Sequence, residues 1–159
     1  MNTKLPDSFR EGLLSYPDYL IDSAAFLVDQ RYGDTIESPI ESLFLTALIF
    51  IDQTLSRLGI YIEPQSVIEL STGVVRVDFW LSYKAADCIV ECDGRDYHHA
   101  SWEQIERDRS RDAMIEQEIK LKVFRFPGTQ IHNDPAQCAY IVLRYLKDLN
   151  DQRAEREAA

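Results

Sequence analysis

The chain has 159 residues, a length that suits about one domain with a single sizeable core. Hydrophobic residues make up 45% and charged residues 28%, which are the proportions of an ordinary globular domain rather than of a disordered or fibrous chain. With 17 Lys and Arg against 27 Asp and Glu, the net charge is −10. This charge argues against a protein that coats nucleic acid by bulk attraction, so any contact with nucleic acid must be local.

The sequence has no apolar run of about 18 residues, and its first residues, MNTKLPDSFREGLL, lack the basic and apolar regions of a secretion signal. We therefore expect a cytoplasmic protein without membrane contact. Three cysteines do not make a disulfide framework and are expected as thiols. Cys88 and Cys92 are predicted to pack in the core, because four residues of strand span about 13 Å, too far to share one zinc ion.

The N-terminal part predicts two helical regions. Residues 1–35 form a helical addition, in which a break is expected at Pro17 because its ring removes an N–H from an interior turn. A central helix is predicted over 38–58, with Ser38 as N-cap and Glu41 closing a capping box. Its apolar residues form one stripe, which favours a buried position.

Beyond residue 60 the hydrophobic period changes to two. This pattern predicts three antiparallel strands near 62–70, 74–83 and 88–93, joined by turns at 71–73 and 84–87. The three strands should form a meander.

A helix over 102–118 and a strand over 121–126 follow the meander. Because the third strand, this helix and the fourth strand form a crossover unit, the third and fourth strands should be parallel neighbours. A last helix is predicted over 134–150, and the tail after it is expected to fray.

Acidic residues interrupt two of the predicted strands. If a symmetric loop closes the second hairpin, residue 83 faces residue 88, and the opposed pairs are Phe79 with Cys92, Leu81 with Val90, Asp78 with Asp93, and Trp80 with Glu91. The last two pairs share a face. Since opposed Cβ atoms lie about 5 Å apart and diagonal ones about 7–8 Å, Asp78, Glu91 and Asp93 should converge on one patch.

Like charges so close together destabilise a sheet unless a cation compensates them. Oxygen-only ligands suit Mg²⁺ or Mn²⁺, and Mg²⁺ commonly takes one or two carboxylates and keeps several waters. The alternative is an exposed sheet face whose acids pair with Arg76 or Arg125. The sequence leaves both interpretations open.

Five elements in order resemble the PD-(D/E)XK nuclease superfamily, in its branch of very-short-patch-repair-like endonuclease domains. They are an acid on the second strand, E-x-D-G on the third, a following His, D-x-x-R on the next helix, and an L-R-F-like strand; here these match Asp78, Glu91 with Asp93-Gly94, His98, Asp108 with Arg111, and Phe124-Arg125-Phe126. The resemblance runs from Glu37 to Ile131. It implies a restriction-endonuclease-like α/β/α core over 37–131, with a four-stranded mixed sheet and extra N- and C-terminal helices in one domain of residues 1–159.

The resemblance also implies roles for site residues. Asp78 and Glu91 would bind Mg²⁺ or Mn²⁺, and Asp93 would bind metal or orient water. A Glu on the helix before the sheet matches Glu41, which can equally cap its own helix. A Gln on the first strand matches Gln65, which is assigned to DNA binding.

One departure from the superfamily concerns the base. A Lys usually stands two residues after the motif Glu and orients the attacking water, whereas this chain has Asp93, a change shared by the E-x-D-G branch. His98 is then the candidate base, because imidazole titrates near neutrality. A surface loop histidine with one hydrogen bond is the alternative interpretation.

The segment 95–125 is the least negative long stretch, with seven basic and seven acidic residues. Arg95 and Arg107 are predicted to contact phosphates. Arg111 is either a phosphate contact or a partner of Asp108 along the helix.

The sequence thus predicts a metal-dependent endonuclease that hydrolyses DNA phosphodiester bonds. A nuclease-derived fold that binds nucleic acid or a protein partner without cutting is the alternative, because fold does not imply function. Assembly as a homodimer or within a larger nucleic-acid-processing complex is left open.

Overall fold

The computed structural model describes residues 18–94 and 101–159. Its centre is a four-stranded sheet in the order β1 (Tyr61–Leu70), β2 (Gly73–Tyr83), β3 (Ala86–Asp93) and β4 (Lys122–Pro127). The first three strands form an antiparallel meander, and β4 runs parallel to β3. The predicted strands, their order and their directions are confirmed.

The predicted register of β2 against β3 is wrong by two residues. The loop between them is only Lys84-Ala85, with Lys84 in the left-handed region at φ 51°, so Tyr83 pairs with Ala86 instead of residue 88. Phe79 consequently faces Val90, not Cys92, and Trp80 faces Ile89, not Glu91. A shift of two residues keeps every side chain on its predicted face, because the period of a strand is two.

Strands β1 and β2 both change faces where Gln65 and Asp78 lie, between the pairs Pro64–Phe79 and Ser66–Val77. Phe79 packs in the larger core, whereas Val77, which a flat strand would place on the same face, packs in the smaller core on the other side. Gln65 has φ 52°, a left-handed conformation that is uncommon for residues other than glycine. This twist places Asp78 at the junction between the two faces.

Helices cover both faces of the sheet. The larger core lies under α1 (Asp18–Tyr32), α2 (Pro39–Ile51) and α5 (Pro135–Ala158), and contains the buried Cys88, Cys92 and Cys138. The smaller core lies under α3 (Trp102–Ile119), where Ile115 packs with Ile89 and Val123. The mixed α/β arrangement with flanking helices agrees with the sequence prediction, as does the burial of the cysteines.

Helix α2 ends earlier than predicted, in a π-helical turn over Asp52–Ser56. Arg57 then adopts a left-handed conformation, and the buried Asp52 carboxylate accepts hydrogen bonds from the N–H groups of Leu58, Gly59 and Ile60 at 2.8–3.1 Å. These bonds satisfy backbone donors at the entry to β1. The sequence analysis did not assign this role to Asp52.

The C-terminal region differs from its prediction in two ways. A short helix, α4 (Gly128–Asn133), follows Pro127, and α5 continues to Ala158 instead of fraying after residue 150. The pairs Arg144–Asp148 and Lys147–Asp151 stabilise α5 at i,i+4 spacing, and Arg153 donates a hydrogen bond to the Ala85 carbonyl. The predicted N-cap Asp134 is confirmed, with its side chain accepting from the Gln137 N–H.

At the N-terminal end of the described residues, α1 starts at Asp18, and the predicted break at Pro17 lies outside them. The predicted helix before Pro17 lies outside the described residues. Within residues 18–94 and 101–159, no helix is long and apolar enough to cross a membrane.

We expect Asp52→Ala to lower the free energy of unfolding by about 3 kcal/mol, because several buried N–H groups lose their acceptor at once. Urea unfolding measures the change. Asp151→Ala removes an exposed carboxylate from α5 and should lower the free energy of unfolding far less than Asp52→Ala. Equal effects of the two substitutions would contradict the anchoring role of Asp52.

Candidate functional site

The candidate site lies where β2 and β3 separate. Main-chain pairing between them stops at Phe79 and Val90, while β3 continues to pair with β4, placing Glu91 beside Arg125. In the fork, Asp78 N–H donates to Glu91 Oε2 at 3.3 Å and Cys92 N–H donates to Asp78 Oδ2 at 2.7 Å. The two carboxylates therefore take over backbone donors that the ladder no longer satisfies.

The fork opens into a pocket of about 280 Å³. Glu91 and Asp93 are buried in its floor and Asp78 is half-buried. Acidic and basic side chains alternate around it, and the lining consists of Arg76, Asp78, Glu91, Cys92, Asp93, Gly94, Arg111 and Arg125. The predicted convergence of the three strand acids on one patch is thus observed, although the pairs that produce it differ from those predicted.

Two arginines reach the acids, one from α3 and one from β4. Arg111 of α3 donates from Nη2 to Glu91 Oε1 at 2.5 Å and to the Arg76 carbonyl at 2.6 Å. Arg125 of β4 lies 3.9 Å from Glu91 and 3.8 Å from Asp93, measured between guanidinium nitrogens and carboxylate oxygens. The partner that the structure shows for Arg111 is a strand carboxylate and not the predicted Asp108 on its own helix.

Arg125 is held by an acid that the sequence analysis missed. Its Nε and Nη2 donate to the two oxygens of Asp112, each at 2.8 Å. Arg76, the other arginine considered as a partner for the strand acids, instead pairs with Glu37 at 2.8 Å. Asp112 stands four residues after Asp108 and one turn before Glu116, and that spacing on the sheet-facing helix was the signal available in the sequence.

Burial, and after it the charge of Asp78, raises the pKa of Glu91 to about 7, although Arg111 and Arg125 act in the opposite direction. Burial also raises the pKa of Asp78, where the hydrogen bond from Cys92 N–H opposes it and the charge of Glu41 adds to it. Two neighbouring carboxyls in a dry site favour sharing a proton over carrying two charges. The site is therefore short of positive charge even with its arginines.

Glu41 is committed to its helix terminus. It accepts from Ser38 Oγ at 2.7 Å through Oε1, and from Glu37 N–H and Gln65 Nε2, each at 3.0 Å, through Oε2. Ser38 caps the helix as predicted by accepting from the Glu41 N–H, but the Glu41 side chain accepts from the Glu37 N–H and not from the N-cap N–H that a capping box requires. The metal role of Glu41 and the DNA contact of Gln65, which has a left-handed backbone and donates its amide to Glu41, stay predictions.

The other predicted site residues are only partly described. Arg107 is exposed on α3, where its Nε donates to the Glu103 carbonyl at 3.2 Å instead of pairing with the Glu103 carboxylate. Arg95 and His98 lie outside the described residues, so their predicted roles in phosphate contact and base catalysis stay predictions.

The donor set suits a cation held by few protein ligands. Among the described residues, no group of three or more His, Cys, Asp and Glu side chains is arranged to hold a metal ion. Asp78 and Glu91 nevertheless supply carboxylate oxygens side by side, and Mg²⁺ commonly uses one or two carboxylates with water in its remaining positions.

Comparison of the chain with protein families, curated proteins and solved structures found no match. The geometry of the fork is therefore the main basis for a functional proposal.

We expect the stability of the metal-free wild type to fall, relative to Glu91→Gln, as the pH rises from about 5 to 8. The folded protein keeps a proton on Glu91 up to about pH 7, whereas the unfolded chain releases it near the ordinary Glu pKa of about 4.3. Because the raised pKa means that the folded state binds more protons across this window, rising pH destabilises it, by about 3 kcal/mol at most.

Urea unfolding in EDTA at several pH values measures this difference. Glu69→Gln, on the exposed edge of β1, is the matched control and should follow the wild-type curve. Parallel pH profiles for wild type and Glu91→Gln would show that Glu91 titrates normally in the folded protein.

Proposed function

We propose that the protein is a metal-dependent endonuclease that hydrolyses DNA phosphodiester bonds on a restriction-endonuclease-like α/β/α core. The observation that carries the proposal is the pair of carboxylates at the fork of β2 and β3, the half-buried Asp78 and the buried Glu91. The order of strands and the placement of helices on both faces are compatible with this fold. The sequence resemblance to the nuclease superfamily supplies the reaction class.

Asp78 and Glu91 are the residues that would hold Mg²⁺ or Mn²⁺. Burial first, and neighbouring acidic charge after it, raises the pKa of both carboxyls, and a divalent cation would stabilise their charged forms. When bound, such a cation polarises a phosphodiester and lowers the pKa of its water.

The remaining groups in the pocket have complementary tasks. Asp93 lies buried next to the pair on β3, where its carboxylate can orient a water for attack. Arg125, fixed by Asp112, brings positive charge to the floor of the pocket, and an arginine in that position can receive a phosphate oxygen. His98 remains the proposed base, in a segment that directly follows Gly94 at the pocket wall.

A second candidate is a module of this fold that binds nucleic acid or a protein partner without cutting. The observation that favours it is the ion pair between Arg111 and Glu91, which already supplies a cation to one of the two proposed ligands. The net charge of −10 and the absence of a cluster of three metal-binding side chains among the described residues agree with it. Cleavage assays distinguish the two candidates.

We expect the wild type to nick or linearise plasmid DNA in the presence of Mg²⁺ or Mn²⁺ but not of EDTA. Asp78→Asn should reduce the rate at least about 100-fold, equivalent to about 2.7 kcal/mol of transition-state stabilisation. Asn is preferred to Ala because its side-chain oxygen still accepts from Cys92 N–H. Gel electrophoresis over time measures the rate, with Asp151→Asn as the surface control.

No cleavage by a folded wild type with either ion would favour the binding module. Equal cleavage by wild type and Asp78→Asn would show that the activity belongs to another site or to a contaminant.

We also expect Mg²⁺ or Mn²⁺ to raise the melting temperature of the wild type, because a ligand that binds only the folded state stabilises it by about 2.7 kcal/mol at a hundred times Kd. Asp78→Asn should abolish most of this shift. Differential scanning calorimetry at about 10 mM metal measures it. A full shift in Asp78→Asn would place the bound cation away from the fork.

A further inference from the structure

The two arginines of the pocket are held in different ways. Arg125 uses two nitrogens to grip both oxygens of Asp112 and leaves only 17% of its side chain exposed. Arg111 makes its contacts with Glu91 and the Arg76 carbonyl through Nη2, and 29% of its side chain is exposed. A bidentate pair is stronger than a pair through one nitrogen, so Arg125 is the more firmly fixed of the two.

The bonding of Arg111 is incomplete. Within the described part of the chain, its buried Nε has no hydrogen-bond partner. A buried donor without a partner is destabilising, because it has lost its hydrogen bond to water without a replacement. Arg111 therefore lies at the pocket with one unsatisfied donor, its Nε, while its Nη2 is bound to a proposed metal ligand.

Both oxygens of Glu91 accept a hydrogen bond while Arg111 is in place. Its Oε1 accepts the 2.5 Å bond from Arg111, and its Oε2 accepts from Asp78 N–H. A carboxylate oxygen that accepts so short a charge-assisted bond cannot offer the same lone pair to a metal ion. Arg111 and a divalent cation must therefore compete for Glu91.

We propose that Arg111 is an internal counter-cation that holds Glu91 in the metal-free protein and passes to a substrate phosphate when a divalent cation replaces it. The inference rests on the proposed function and adds a regulatory step to the same site. The Arg76 carbonyl keeps Arg111 at the pocket when Glu91 releases it. The freed guanidinium nitrogens and the unpaired Nε then have a phosphate as their partner.

This exchange couples the two ligands. Metal binding releases Arg111 for the phosphate, and phosphate binding removes Arg111 as a competitor for Glu91. By linkage, each ligand then raises the affinity for the other by the same factor. Without Arg111, the metal should bind more tightly by itself and respond less to DNA.

The experiment measures the affinity for Mn²⁺ by titration calorimetry. The proteins are wild type, Arg111→Gln, Arg111→Lys and Arg144→Gln. Each is titrated with and without a phosphorothioate DNA duplex of about 20 base pairs, which resists hydrolysis. In the absence of DNA, Arg111→Gln should bind Mn²⁺ at least about fivefold more tightly than wild type. Arg111→Lys keeps the competing charge and should stay close to wild type. Arg144→Gln makes the same change in net charge on α5, away from the pocket, and should not alter the affinity.

In the wild type, the duplex should lower the Kd for Mn²⁺, and Arg111→Gln should lose most of that effect.

Equal Mn²⁺ affinity in wild type and a folded Arg111→Gln would overturn the exchange while leaving the proposed function intact. Tighter binding in Arg144→Gln as well would reduce the effect to net charge and overturn the exchange too. No Mn²⁺ binding by any variant would overturn both the exchange and the metal-dependent function. If Arg111→Gln does not fold, Arg111→Lys still tests the proposal. The duplex should no longer lower the Kd of Arg111→Lys for Mn²⁺ if the planar guanidinium of Arg111 receives the phosphate, and an unchanged duplex effect would overturn the exchange.

Discussion

The pocket depends on two hydrogen bonds between β2 and β3, one from Asp78 N–H to Glu91 and one from Cys92 N–H to Asp78. Each carboxylate accepts from a backbone N–H on the opposite strand, where the ladder between β2 and β3 has ended. The strands can separate there because these side chains satisfy the donors that separation exposes. The same bonds draw the two acids into a partly buried site. Burial raises the pKa of both, and the charge of Asp78 adds to this effect at Glu91, as the charge of Glu41 does at Asp78. The two carboxylates that satisfy the backbone donors of the separated strands thus also form a site that favours cations.

The surrounding residues compensate this negative charge, and they differ in how firmly their own contacts hold them. Arg125 shares its charge with Asp112 through a bidentate pair, which fixes it in the floor of the pocket. Arg111 approaches from the helix on the smaller core and neutralises Glu91 directly. Glu41, from the helix on the other face, adds negative charge near Asp78 while its own oxygens are engaged by Ser38, Glu37 and Gln65. Both helical layers therefore contribute to the electrostatics of one fork.

Much of the fold follows from local patterns in the sequence. Ser38 and Pro39 start α2, Asp134 and Pro135 start α5, and alternating apolar residues mark the strands, because caps and hydrophobic period act over a few residues. The errors occur where tertiary contacts act. The end of α2 depends on Asp52 reaching three N–H groups beyond it, and the order of the last turns of α5 depends on ion pairs and on Arg153 meeting Ala85. The β2–β3 register is set by a turn in which Lys84 has a left-handed conformation. Glycine and asparagine favour this conformation, so a lysine at that position gives no signal of the turn in the sequence.

For the candidate site, the sequence by itself determined which acids share a face. Asp78, Glu91 and Asp93 stay together under a register error of two residues, because the period of a strand is also two. Only the tertiary structure decided which atoms they contact. It paired Glu91 with Arg111, Arg125 with Asp112, and Gln65 with Glu41, since each of these contacts joins elements that are distant along the chain. Side-chain partners across such distances are set by how the layers pack, and periodicity along one element carries no information about them.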